Sequence, residues 1–142
     1  MTEAHRETGP APIMLGRAVD VALSSGALAT LGFMLYAGEP AEPVWWLSAI
    51  VFGAWALAPY LFVAWETRRQ PPVMGSRVLL ALAAVVMTAF GVAVLVSAFV
   101  LHPDPQSGLV ILFVPIWQSL GLVPFVLGSR YFAFRSERRS DA

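Results

Sequence analysis

Residues 78–101 read VLLALAAVVMTAFGVAVLVSAFVL. The run carries no charge. As a helix it is long enough to cross the ~30 Å hydrocarbon core of a bilayer. Within it Ala81, Ala84, Thr88, Gly91, Leu95 and Ala98 recur at alternating three- and four-residue spacings. That is a mostly small-residue seam with the heptad period, suited to left-handed helix packing near about +20°. The seam reads as structural.

Three further apolar runs flank this one, at residues 18–37, 44–65 and 108–129. The composition agrees: 58% of the 142 residues are hydrophobic and 13% are charged, with a mean hydropathy of +0.70. Soluble domains carry nearly twice that share of charge. The sequence therefore predicts an all-α membrane protein, a four-helix transmembrane bundle over residues 17–132. A cytoplasmic tail at 1–16 and a basic cytoplasmic tail at 133–142 are expected around it. The entry segment is long and polar, and no short apolar core with a cleavage site follows, so residues 18–37 read as a retained anchor. There is no cysteine, which excludes thiol catalysis, disulfides and cysteine metal sites.

The formal net charge is zero, but the charges are sorted. Arg6, Arg17, Arg68, Arg69, Arg77, Arg130, Arg135, Arg138 and Arg139 all fall on one side of a four-span arrangement, whereas Glu39, Glu42 and Asp104 fall on the other. The positive-inside rule then makes both termini cytoplasmic. All nine basic residues are Arg. With the many alanines, this suggests a GC-rich bacterial source and the inner membrane.

Outward from the third span, residues 102–118 read HPDPQSGLVILFVPIWQ. Asp104 followed by Pro105 is a helix start: the carboxylate accepts from free N–H groups of the first turn, and proline suits a position whose N–H has no helical partner. Pro115 and Pro124 lie inside the fourth span. They crowd the carbonyls of Ile111 and Leu120, which then need other partners in lipid. Gln118, Gly121, Phe125 and Gly128 share one helical face by spacing. Interhelical hydrogen bonding is the preferred role for Gln118, and a polar contact in a solute path the sharper alternative. Trp117 sits beside it. Trp55, near the midplane of the second span, needs an acceptor for its N–H; Gln118, Ser48 and Thr88 are candidates.

The first span is the least apolar. Ala18, Ala22, Gly26 and Thr30 form a small-residue ridge, and Ala49 with Gly53 forms another in the second span. Asp20, three residues after Arg17, is expected to make an interfacial ion pair or to sit at the positive end of the helix dipole. Tyr36, Trp45 and Trp46 mark one membrane face. The polar loop ETRRQPPVMGSR at 66–77 has no glycine-rich phosphate cradle, and no nucleic-acid partner is expected. Arg68, Arg69, Arg130, Arg135, Arg138 and Arg139 are placed to meet anionic lipid headgroups.

Reactive chemistry is sparse. His102 and Asp104 could begin a metal or acid–base site, but only Glu39 and Glu42 are near enough in sequence to add ligands. No metalloprotease, serine-hydrolase or Walker pattern occurs. No cofactor is expected, and no histidine lies in a span to ligate haem. The size is similar to that of four-helix multidrug transporters, but those need a membrane carboxylate in the first helix, and no Asp, Glu, Lys or Arg here lies near a midplane. The first-helix motif of small fluoride channels is missing as well. Residues 104–118, DPQSGLVILFVPIWQ, resemble a stretch of small, uncharacterised bacterial four-span membrane proteins, which implies the same architecture and no activity. The expected role is non-enzymatic, an accessory subunit or homo-oligomer acting through helix contacts. The alternative is an oligomeric channel or transporter lined by Gln118, Thr88, Ser25 and Trp117.

Overall fold

The computed structural model describes residues 10–71, 73–104 and 106–140. Four helices follow in order: α1 (Pro10–Ala37), α2 (Trp45–Arg69), α3 (Met74–Val96) and α4 (Val110–Ser140). A π-helical turn (Ser97–Leu101) extends α3, and a short 3-10 turn (Ser107–Leu109) leads into α4. All four are long and apolar enough to cross a membrane. The protein is an all-α, membrane-spanning four-helix bundle. α3 packs chiefly against α1 and α4, while α2 closes the bundle against the same two.

The helices are longer than the apolar runs alone predict. α1 begins at Pro10, inside the segment expected to be a tail. α2 continues through Glu66 to Arg69, and α3 resumes at Met74, so the polar loop shrinks to a few residues. α4 runs to Ser140, through the expected basic tail. Helical hydrogen bonding does not stop at the hydrocarbon boundary, and Arg, Glu and Ser continue a helix where nothing breaks it.

The α3 seam is buried as its spacing predicts: Ala81, Ala84, Gly91 and Leu95 all face inward. On α1 the buried face is Val19, Leu23, Gly26, Thr30 and Met34, while Ala18 is exposed. On α4 it is Gln118, Leu122, Val126, Ser129 and Ala133. Gly121, expected on the Gln118 face, is exposed with open space beside it. Gln118 and Ser129, three turns apart, both turn inward to find partners. A glycine has no side chain to bury and exerts no such pull.

α4 passes unbroken through Pro115 and Pro124. Ser119 Oγ donates to the Pro115 carbonyl at 2.7 Å. Trp55 Nε1 donates to the Leu112 carbonyl at 3.0 Å, next to Ile111, whose carbonyl loses its usual donor at Pro115. The midplane Trp thus finds a backbone acceptor rather than Gln118, Ser48 or Thr88. Trp55→Phe should cost about 0.6 kcal/mol and at most about 1.7 kcal/mol, the mean and the maximum for one interhelical hydrogen bond in a membrane protein. Reversible unfolding in mixed micelles measures it, and an unchanged midpoint would mean the bond carries no weight.

Trp46 Nε1 donates to the Pro40 carbonyl at 3.1 Å. Trp45 and Trp46 meet edge to face, with centroids 4.9 Å apart. Trp45 lies directly over Gly38, where any Cβ would collide with the indole.

Candidate functional site

Two clusters of buried polar side chains hold the helices together. The first lies at mid-bundle and involves all four. Thr30 Oγ1 on α1 donates to the Gly26 carbonyl at 2.9 Å. That uses its one hydrogen, so the 3.3 Å contact with Tyr60 Oη on α2 is a bond donated by the phenol. Gln118 Nε2 on α4 donates one hydrogen to Tyr60 Oη at 3.1 Å and the other to the Met87 carbonyl on α3 at 3.1 Å. The chain therefore runs one way, from amide to phenol to hydroxyl to carbonyl. Beside it Thr88 Oγ1 donates to the Ala22 carbonyl at 3.0 Å.

Glycines make this possible. A Cβ on Gly26 would sit 2.5 Å from the Tyr60 ring and 2.7 Å from Thr88 Oγ1. A Cβ on Gly91 would sit 2.5 Å from Gln118 Nε2 and 3.1 Å from Tyr60 Oη. Gln118 Oε1 is buried without a partner, in a residue that is only 4% exposed.

The second cluster lies toward the arginine-bearing end. Glu66, only 2% exposed, takes Arg130 Nε on Oε1 at 2.5 Å and Arg130 Nη2 on Oε2 at 3.1 Å. Gln70 Nε2 donates to Glu66 Oε1 at 2.8 Å and to Ser129 Oγ at 2.9 Å. Ser76 Oγ donates to Gln70 Oε1. Ser129 Oγ passes its hydrogen to the Val126 carbonyl at 2.9 Å. The buried polar atoms of this group are all used. It joins α2, the following turn, α3 and α4.

The second cluster is not foreseen in the sequence, which places Glu66 in a loop and Arg130 among the headgroup contacts. Tyr60, Val63, Thr67 and Gln70 recur at helical spacing and are all buried. Following that period past Trp65 would have carried α2 inward through Glu66. Arg130 is paired inside the protein, with its side chain half exposed.

The other predicted positions do not converge. Trp117 is 62% exposed and points out of the bundle. Ser25 is exposed and bonds its own turn at the Ala22 carbonyl. His102 and Asp104 are exposed in the turn between α3 and α4. Asp104 shapes the turn ahead of the helix rather than capping it: Oδ1 accepts from Gln106 N at 2.7 Å and Asp104 N donates to Ser107 Oγ at 3.1 Å, while the helical turn starts later than expected, at Ser107 behind Gln106, with no side-chain cap. Pro105 lies outside the described residues. Asp20 is exposed and forms no ion pair with Arg17. Because α1 starts at Pro10, Asp20 is also well past the positive end of the dipole. Among the described residues no group of three His, Asp or Glu could hold a metal.

Grooves open on the outside of the bundle. One of about 490 Å³ lies between α2 and α4, lined by Pro59, Phe62, Leu122 and Val126 among others. A smaller one of about 270 Å³ lies between α3 and α4 and includes Phe90, Trp117 and Gln118. Comparison with known proteins finds no matching family model, no matching curated protein and no matching solved structure.

Proposed function

We propose that this chain is a small, multi-pass protein of the bacterial inner membrane that works through helix contacts, as a homo-oligomer or as an accessory subunit of a membrane complex. One observation carries the reading: apart from Gln118 Oε1, the interior polar side-chain groups are spent on bonds within the bundle. Gln118, Tyr60, Thr30 and Thr88 tie the middle of the bundle, and Glu66, Arg130, Gln70, Ser76 and Ser129 tie one end. A bundle fastened in this way offers its outside to other molecules.

The arginine-bearing end is the cytoplasmic one in this reading. Arg68, Arg69, Arg135 and Arg138 belong to it, with Arg68 and Arg69 exposed. The Arg69 guanidinium lies 4.5 Å from the Trp65 ring centroid, and that of Arg138 lies 4.6 Å from the Phe134 centroid. Arginines stacked on interfacial aromatics suit contact with anionic headgroups. Arg139 belongs to the same end of the sequence.

Native mass after gentle extraction from the cell's own membrane tests the proposal. The expected particle is heavier than one 15.3 kDa chain with its lipid. A single-chain particle would contradict it.

A second reading, a channel or transporter for a small or apolar solute, draws on the unpartnered Gln118 Oε1 and the groove beside it. It needs an oligomer, because four packed helices enclose no pore of their own. Equal solute flux in empty and protein-bearing vesicles would remove it.

A further inference from the structure

The small-residue ridges that first suggest assembly are consumed inside the chain. Gly26 and Gly91 pack on Tyr60 and Gln118, and Gly53 lies against Met34 and Leu31. The opposite side of α1 is different. Arg17, Val21, Ser24, Leu28, Leu31 and Leu35 recur at 4,3,4,3,4 spacing, which is the heptad period. All but the half-buried Leu31 are exposed. Gly32 flanks this seam with open space where a Cβ would stand, and Asp20 flanks its other edge.

Lipid is a poor neighbour for this face. α1 crosses the membrane over Met14–Ala37, and Gly26, in the mid-bundle cluster, lies at the middle of that span. Asp20 is six residues nearer the arginine-bearing end, so by helical rise it lies about 9 Å from the midplane. That is about 6 Å inside a hydrocarbon core of half-thickness ~15 Å. A short carboxylate there, facing outward with no ion pair, is costly unless a cation meets it. Ser24 lies closer still to the midplane and finds no hydrogen-bond partner among the described residues, although its neighbour Ser25 does.

We infer that this face of α1 receives a second copy of the chain, inserted the same way up about a twofold axis along the membrane normal, with Asp20 of each copy meeting Arg17 of the other. The inference deepens the reading of the protein as one that acts through helix contacts, and it rests on that reading. Charge complementarity selects the occupant. In a twofold contact the same patch meets itself, so a cation and an anion one turn apart on a parallel helix satisfy each other twice. Arg17 has a long, flexible side chain that can bridge the offset of about one turn to Asp20 of the facing helix. Val21, Leu28 and Leu35 then form the apolar seam, and Ser24 gains an acceptor across it.

The chain has no cysteine, so single cysteines in the full-length protein report the contact in its own membrane. Ser24→Cys or Leu28→Cys should give at least about tenfold more disulfide-linked dimer than Val86→Cys on the lipid face of α3. Two further chains, each carrying Leu28→Cys and a different tag, separate pairing between copies from pairing within one. One bears Arg17→Asp and the other Asp20→Arg. Alone, each should lose the linked dimer; expressed together, they should recover it as a mixed dimer, since neither chain holds a pair of its own. Equal linking at residues 24, 28 and 86 would overturn the inference, leaving lipid as the occupant. Absent linking, with a native mass that includes a different protein, would overturn it while the functional proposal stands. Absent linking with a single-chain mass would overturn both.

Discussion

Gly91→Leu and Gly26→Leu should each lower the unfolding free energy of the bundle by about 2–3 kcal/mol, toward the upper end of what overpacking costs. The first added carbon already lies 2.5 Å from Gln118 Nε2 in one case and 2.5 Å from the Tyr60 ring in the other. Neither neighbour can simply swing aside. Gln118 is held by Tyr60 and the Met87 carbonyl, and Tyr60 is held by Gln118 and Thr30. Making room therefore means breaking hydrogen bonds inside a membrane, where no water replaces them. Reversible unfolding in mixed micelles gives the number. Gly121→Leu is the control, since Gly121 has nothing within 4 Å. It should cost nothing and can gain from better helix propensity. An equal loss at Gly121 and Gly91 would show that the mid-bundle contact does not close the helices.

Arg130→Met should destabilise the protein more than any other single arginine replacement, and at least about twice as much as Glu66→Gln, because breaking a buried pair from one side strands the other charge. The asymmetry comes from burial. Glu66 is nearly fully buried, whereas the Arg130 side chain is half exposed. Without Arg130, the carboxylate keeps only the Gln70 amide as a donor. Without the Glu66 charge, Arg130 still reaches headgroups or water. The double variant Glu66→Gln, Arg130→Met should recover most of the loss, because a neutral amide can still accept from Gln70. Thermal unfolding midpoints of the three variants and of Arg69→Met measure this. Equal losses for Arg130→Met and Arg69→Met would mean the pair does not hold α2 to α4.

The architecture is written in long-range features of the chain, and these are robust to local detail. A run such as residues 78–101 has one stable solution in lipid, a helix with its backbone bonds internal. Heptad spacing then fixes which side of α3 is inward. The turn at Asp104 is legible in part: a short carboxylate acts on its own neighbours, but the helix starts at Ser107, later than the Asp-Pro pair suggests. Pairings between helices are less legible. Gln118 signals a need for partners, but its choice of Tyr60 depends on the rotation of α2, which Pro59 and Trp55 also influence. Glu66 and Arg130 are harder still. Each looks like an interfacial charge until helix length brings them together from positions 64 residues apart. Gly121 shows the opposite error, since a small residue permits close approach without requiring it.

The four-span arrangement depends on where the charged ends lie, and labelling of single cysteines in intact cells tests it most directly. With no native cysteine in the chain, Glu39→Cys in the α1–α2 loop and Gln106→Cys before α4 should react with an impermeant maleimide from outside the cell. Arg69→Cys and Ala142→Cys should react only once the membrane is opened. Outside labelling at residues 69 and 142, or none at residues 39 and 106 before the membrane is opened, would contradict a four-span chain with its arginines on the cytoplasmic side.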